Sequence, residues 1–74
     1  MSEMMPLSMV RAGESGLIQR IGGKEETKRF LKNLGFVPGS SVMLISENEG
    51  NVIVQVKEAR IAISREMANK IMIS

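Results

Sequence analysis

The chain has 74 residues, 43% hydrophobic and 24% charged, with ten Lys and Arg against eight acids for a net charge of +2. That length holds one domain with one small core, and the composition is that of a globular chain. Cys and His are both absent, which removes disulfide and zinc staples, Ser-His and Cys-His nucleophile pairs, and the usual haem and iron–sulfur ligand sets. The acids are all Glu, scattered as Glu3, Glu14, Glu25, Glu26, Glu47, Glu49, Glu58 and Glu66. No enzymatic activity and no cofactor are expected from this inventory. The sequence pI of about 9.4 reflects the absence of His more than an excess of cations, and argues little for nucleic acid.

In chain order, Val10 to Gly16 carries two glycines three apart beside Ser and Glu, which is turn chemistry. Leu17 to Ile21 then reads as a first strand ending at Gly22-Gly23. From Lys24 to Leu34 the period changes: Thr27, Phe30, Leu31 and Leu34 fall at i, i+3, i+4 and i+7, the stripe of one helical face. Glu25 and Glu26 open this helix and Lys28, Arg29 and Lys32 follow, the order its dipole favours, although its start has no strong cap. Gly35 fits a left-handed helix ending with Phe36 packing back on Leu31, and Val37-Pro38-Gly39-Ser40 reads as a type II turn.

Ser41 to Ser46 and Asn51 to Val56 flank Glu47-Asn48-Glu49-Gly50 and should pair as a hairpin. Pairing Ser46 with Val52 places Ile45 opposite Ile53, Leu44 opposite Val54 and Val42 opposite Val56. A second hairpin through Glu58-Ala59 would set Ile61 against Val56 and Ile63 against Val54. Ser64 can cap a helical turn over Arg65 to Lys70, before a last strand at Ile71 to Ile73. The expected fold is all-β with one short helix and a helical turn: a small barrel of about five strands, closed because so small a sheet could not cover its edges. Leu31, Phe36, Val42, Leu44, Val54, Val56, Ile61 and Ile63 are its predicted core, and residues 1–6 are expected to form a flexible N-terminal segment.

No segment is long and apolar enough to span a membrane, since the uncharged run before Glu47 contains Pro38 and Gly39. Met1 to Val10 lacks the basic region and cleavage site of a secretory signal. A cytosolic chain is expected.

The order of these pieces resembles a known family. Leu7 precedes Gly13 to Gly16 and an Ile-rich strand, and a basic helix runs into Leu34-Gly35-Phe36-Val37-Pro38-Gly39. A hairpin follows, then Ile61-Ala62-Ile63-Ser64-Arg65-Glu66 and a terminal Lys70-Ile71. From about Leu7 to Ile73 this is similar to the ferrous iron transport protein A (FeoA) family, whose domain is an SH3-like β-barrel. The resemblance implies a single-domain cytosolic accessory protein that associates with the membrane ferrous iron transporter FeoB and supports Fe(II) uptake. The same barrel also forms the C-terminal domain of iron-dependent repressors. The alternative is therefore a free-standing regulatory or nucleic-acid-binding module; with no DNA-binding helix-turn-helix before the barrel, the accessory protein is preferred.

Metal ligation is not expected, because Fe(II) favours imidazole and carboxylate oxygen, while the adjacent Glu25 and Glu26 diverge by about 100° on a helix. Met1, Met4, Met5 and Met9 suggest a thioether cluster, but gap-filling or flexible apolar residues explain them as well. Nucleic acid is not an expected partner, since aromatic residues are 3% with Trp and Tyr absent and no stacking platform exists. The partner contact is placed at the helix end and its turn: Arg29 and Lys32 as a charged rim, Phe36 and Val37 as apolar contacts, Gly35 as the shaper. Met43, Ile45 and Ile53 form a second candidate patch, apolar on a face that should meet water, either covered by the rest of the chain or available for docking and weak self-association.

Overall fold

The computed structural model describes residues 3–74. Strand β1 is Met5–Pro6, followed by a 3-10 turn at Leu7–Met9. Strand β2 is Ser15–Ile21, helix α1 Glu25–Asn33, β3 Ser41–Asn48, β4 Asn51–Val56 and β5 Ala59–Ser64. Helix α2 is Arg65–Ala68 and β6 Ile71–Ile73. The six strands form one antiparallel sheet in the order β1-β6-β2-β3-β4-β5. One strand more than expected comes from Met5 and Pro6, which pair with Ile73 and Met72 within the segment expected to be flexible. Met1 of the methionine cluster lies outside the described residues.

Strand β2 produces the bend. Its first half, Ser15 to Leu17, pairs with β3, while Ile18, Arg20 and Ile21 pair with β6 across a register shift at Gln19. A bulge of this kind increases local twist and turns the sheet around its own core. Gly16 sits where the two halves approach: a Cβ there would lie 2.9 Å from Ile73 Cδ1 and 3.0 Å from the Ser74 carbonyl oxygen. The expected closure of the ladder does not occur, and β1 and β5 remain its edges. The opening is filled instead by α2, which packs on the 3-10 turn and on β4 and β5. Leu7 and Ala68 are fully buried there, and the Ser8 hydroxyl donates to Asn69 Oδ1 across the seam. Side-chain packing thus replaces the missing strand pairing.

Seven of the eight predicted core residues are buried, and Ile61 is half-buried against the same cluster. Leu7, Val10, Ile18, Val52, Ala68, Ile71 and Ile73 complete it. Phe30 departs from the predicted helical stripe and is 49% exposed. A nine-residue helix meets the sheet only along a strip centred on Leu31, and the next residue on a helix lies about 100° around the axis.

Both hairpin registers differ from the expected ones. Val42↔Val56 and Leu44↔Val54 hold, but a bulge at Ile45 shifts the rest, so Ser46 faces Ile53 and Glu47 faces Val52. In the second hairpin the turn is Lys57-Glu58, with Lys57 at φ +56°, so Ile61 faces Val54 and Ile63 faces Val52. The slip is two residues, and an even slip keeps every side chain on its face, which is why the core prediction survived it.

Candidate functional site

The junction from α1 to β3 is built from local bonds. Gly35 lies at φ +110°, its amide donates to the Lys32 carbonyl, and the Phe36 amide donates to the Leu31 carbonyl, both at 3.0 Å. These two bonds are the Schellman ending, and the left-handed conformation they require strains any residue with a Cβ. The Ser40 amide then donates to the Val37 carbonyl at 3.0 Å, with Gly39 at φ +93°, the type II turn expected of Val37-Pro38-Gly39-Ser40. This turn is tied to β2: the Gly39 amide donates to the Ile18 carbonyl at 2.8 Å and the Ile18 amide to the Ser40 carbonyl at 2.9 Å. The loop is therefore a fixed wall.

Between that wall, α1 and β2 runs an apolar-floored groove of about 380 Å³. Ile21, Phe36, Val37 and Pro38 supply its apolar lining; Arg20, Lys28 and Lys32 supply the charge. No carboxylate lines it. Lys28 reaches Glu25 at 3.8 Å with both side chains well exposed, a pairing of about 0–1 kcal/mol at most. The other ion pair among the described residues joins Arg65 of α2 to Glu47 of β3 at 2.5 Å, outside this groove.

Of the five predicted contact residues, Lys32, Phe36 and Val37 come together in this groove, and Gly35 shapes its edge. Arg29 is exposed on α1 but lies outside the groove, in a shallow basic depression with Glu25, Lys28 and Lys32. Phe36 is corrected from a surface contact to a floor: it is 0% exposed, because the Schellman ending turns it back onto Leu31. Sequence reading missed Arg20 and Ile21. Their placement depends on the register shift at Gln19, for which the residues give no local signal.

The second patch is also altered. Met43 is 38% exposed, but Ile45 and Ile53 are half-buried, and the bulge removes the expected Ile45–Ile53 pair by setting Ser46 against Ile53. A shallow hollow lined by Ser40, Ser41, Met43, Gln55 and Lys57 lies at one end of this face. Among the described residues no group of three or more acids could hold a metal ion, and no helix is long and apolar enough to cross a membrane.

Comparison with known proteins gives this geometry a context. Residues 5–74 match the model of the FeoA domain. A Methanocaldococcus jannaschii protein provisionally named Fe(2+) transport protein A is 33% identical over 70 residues, covering 95% of this chain and 85% of its own length. A crystal structure of an iron uptake regulatory protein, FeoA, superposes with a TM-score of 0.89 at 27% identity, covering 99% of this chain and 97% of that one. A manganese-dependent transcriptional repressor contains the same SH3-like fold, with a TM-score of 0.92 at 19% identity over 100% of this chain and 37% of its own.

Proposed function

The chain belongs to the FeoA family, which serves Fe(II) transport, and from that premise we propose that it works as a non-enzymatic cytosolic adaptor that binds the membrane ferrous iron transporter FeoB. The observation that carries this reading is the rigid α1–β3 junction, which sets a cationic helix face beside an apolar-floored groove. Preformed surfaces lose little conformational freedom on binding, and charge speeds the encounter with a partner of opposite sign. In this arrangement Arg29 and Lys32 form the charged rim, Val37 the apolar contact, and Gly35 with the buried Phe36 holds the loop in place. Any association with the membrane is peripheral, through the transporter. The chain contributes contact and positioning while the transporter performs any chemistry.

A regulatory or nucleic-acid-binding role is not favoured by the surface. One of the two Phe residues is buried and Phe30 stands alone, which leaves no row of stacking faces. The test is co-purification: with the tagged chain expressed beside its transporter, detergent-solubilised membranes should yield FeoB at low salt and less of it as ionic strength rises. Recovery of nucleic acid and no transporter, in a salt-sensitive complex, would replace the adaptor reading with the regulatory one.

A further inference from the structure

Resting on the adaptor reading, we propose that the groove between α1 and β2 docks a linear acidic peptide segment of a partner protein. One apolar side chain of the segment lies against Ile21, Val37 and Pro38, above the buried Phe36 that supports them, and carboxylates on either side of it meet Arg20, Lys28 and Lys32. Charge complementarity selects the occupant. The groove gathers three cations from two different elements and no acid. Among the described residues neither Arg20 nor Lys32 takes part in an ion pair, and the partner of Lys28 is exposed and distant at 3.8 Å. Such cations keep their charge available for an incoming group of opposite sign.

The backbone decides which anion. A phosphate site at a loop or helix end relies on several amides pointing at the ligand. Around this groove the amides are already committed: those of Leu34, Gly35 and Phe36 donate to carbonyls of the helix end, that of Val37 to Gly35, those of Gly39 and Ser40 to Ile18 and Val37, and Pro38 has none. What remains is three long, separately mobile cationic side chains around an apolar floor. That suits carboxylates spaced along a peptide beside an apolar anchor better than one compact, multiply charged phosphate. The floor needs no rearrangement, since Phe36 is packed in the core and the turn is hydrogen-bonded to β2.

The experiment is a selection of displayed random peptides of about 12 residues on the immobilised full chain, the length of a short linear motif. Enriched sequences should carry Asp or Glu around a Leu, Ile, Phe or Met. A synthetic enriched peptide should shift the amide resonances of Arg20, Ile21, Lys28, Lys32 and Val37. The exposed double variant Arg20→Glu/Lys32→Glu should bind it about tenfold more weakly or worse, and Arg11→Glu/Arg60→Glu, the same charge change elsewhere on the surface, no more than about twofold more weakly. No enrichment, enriched peptides without acids, shifts mapped to another surface, or equal weakening by both double variants would overturn the proposal. Phosphatidylglycerol vesicles or inorganic phosphate giving the same shift map while no peptide is enriched would overturn it in favour of a phosphate ligand. FeoB recovered equally with the unmodified chain and with Arg20→Glu/Lys32→Glu would overturn the groove and its Lys32 rim as the transporter contact, while still showing that the chain binds the transporter through another surface. A groove that binds acidic peptides in a chain that never recovers FeoB would support the groove and end the adaptor reading.

Discussion

The α1–β3 junction and the outer face of β3 and β4 are both surfaces with apolar content, and they are made in opposite ways. At the junction, Phe36 is buried, the backbone is hydrogen-bonded through Ser40, and charge from Arg20, Lys28 and Lys32 surrounds the apolar floor. On the strand face, Met43 is the one exposed member of the three, at 38%, while Ile45 lies half-buried in a bulge and Ile53 is half-buried between its cross-strand neighbours Ser46 and Ala62. The first surface has shape and sign; the second has apolar area with no charge pattern to choose a partner. Apolar residues on a small domain's surface are ordinary, and specificity needs something that discriminates.

The inner and outer faces differ most within one strand. Leu44 is 0% exposed on the inner face of β3, so Leu44→Ala should cost about 2–5 kcal/mol in denaturant unfolding, while Met43→Ala one residue away should cost under about 0.5 kcal/mol. A reversed order, with Met43→Ala the costlier, would mean that the faces of β3 are exchanged. Phe36→Ala should be comparably severe, about 3–5 kcal/mol, because the groove floor is also core. If Phe36→Ala folded with unchanged stability, the floor would be a surface after all. Gly35→Ala places a Cβ at φ +110° and should cost about 1–2 kcal/mol through backbone strain, since the nearest atoms, Val56 Cγ1 and Lys57 Cδ, are at ordinary contact distances of 3.7 and 3.8 Å. An unaltered melting curve would show that the left-handed helix ending is not needed. Smallest of all, Met43→Ser with Ile53→Thr should leave Fe(II) uptake unchanged in cells where the chain is required for it. A loss of uptake with retained folding would move the partner contact to the strand face.

The two regions also differ in how far the residues announce them. The junction was readable in detail, because Gly35, Pro38 and Gly39 act through local backbone preferences that need no distant partner. The inner strand faces were readable too, because Val42, Leu44, Val54 and Val56 alternate and period two survives an even slip. What was hidden depends on pairings far apart in sequence. The bulge at Ile45 and the shift at Gln19 are set by how β3 meets β4 and how β2 divides between β3 and β6. The open ladder, closed by α2 and Leu7 in place of a strand pair, is likewise a tertiary outcome. The candidate site inherits this division: Lys32, Gly35 and Val37 follow from local sequence, whereas Arg20 joins them only through the fold.

The cationic face beside the junction, which we propose engages the iron transporter, can be reversed in charge without touching the core. Arg29 and Lys32 are both exposed and neither takes part in an ion pair among the described residues, so Arg29→Glu/Lys32→Glu should fold normally. The most direct measurement is the initial rate of Fe(II) uptake in cells lacking the chain and supplied with either the unmodified protein or this double variant at equal abundance. The variant should fall towards the rate of cells without the chain, because reversing two surface charges slows association with an acidic partner. Uptake at the unmodified rate by a folded, equally abundant variant would contradict it.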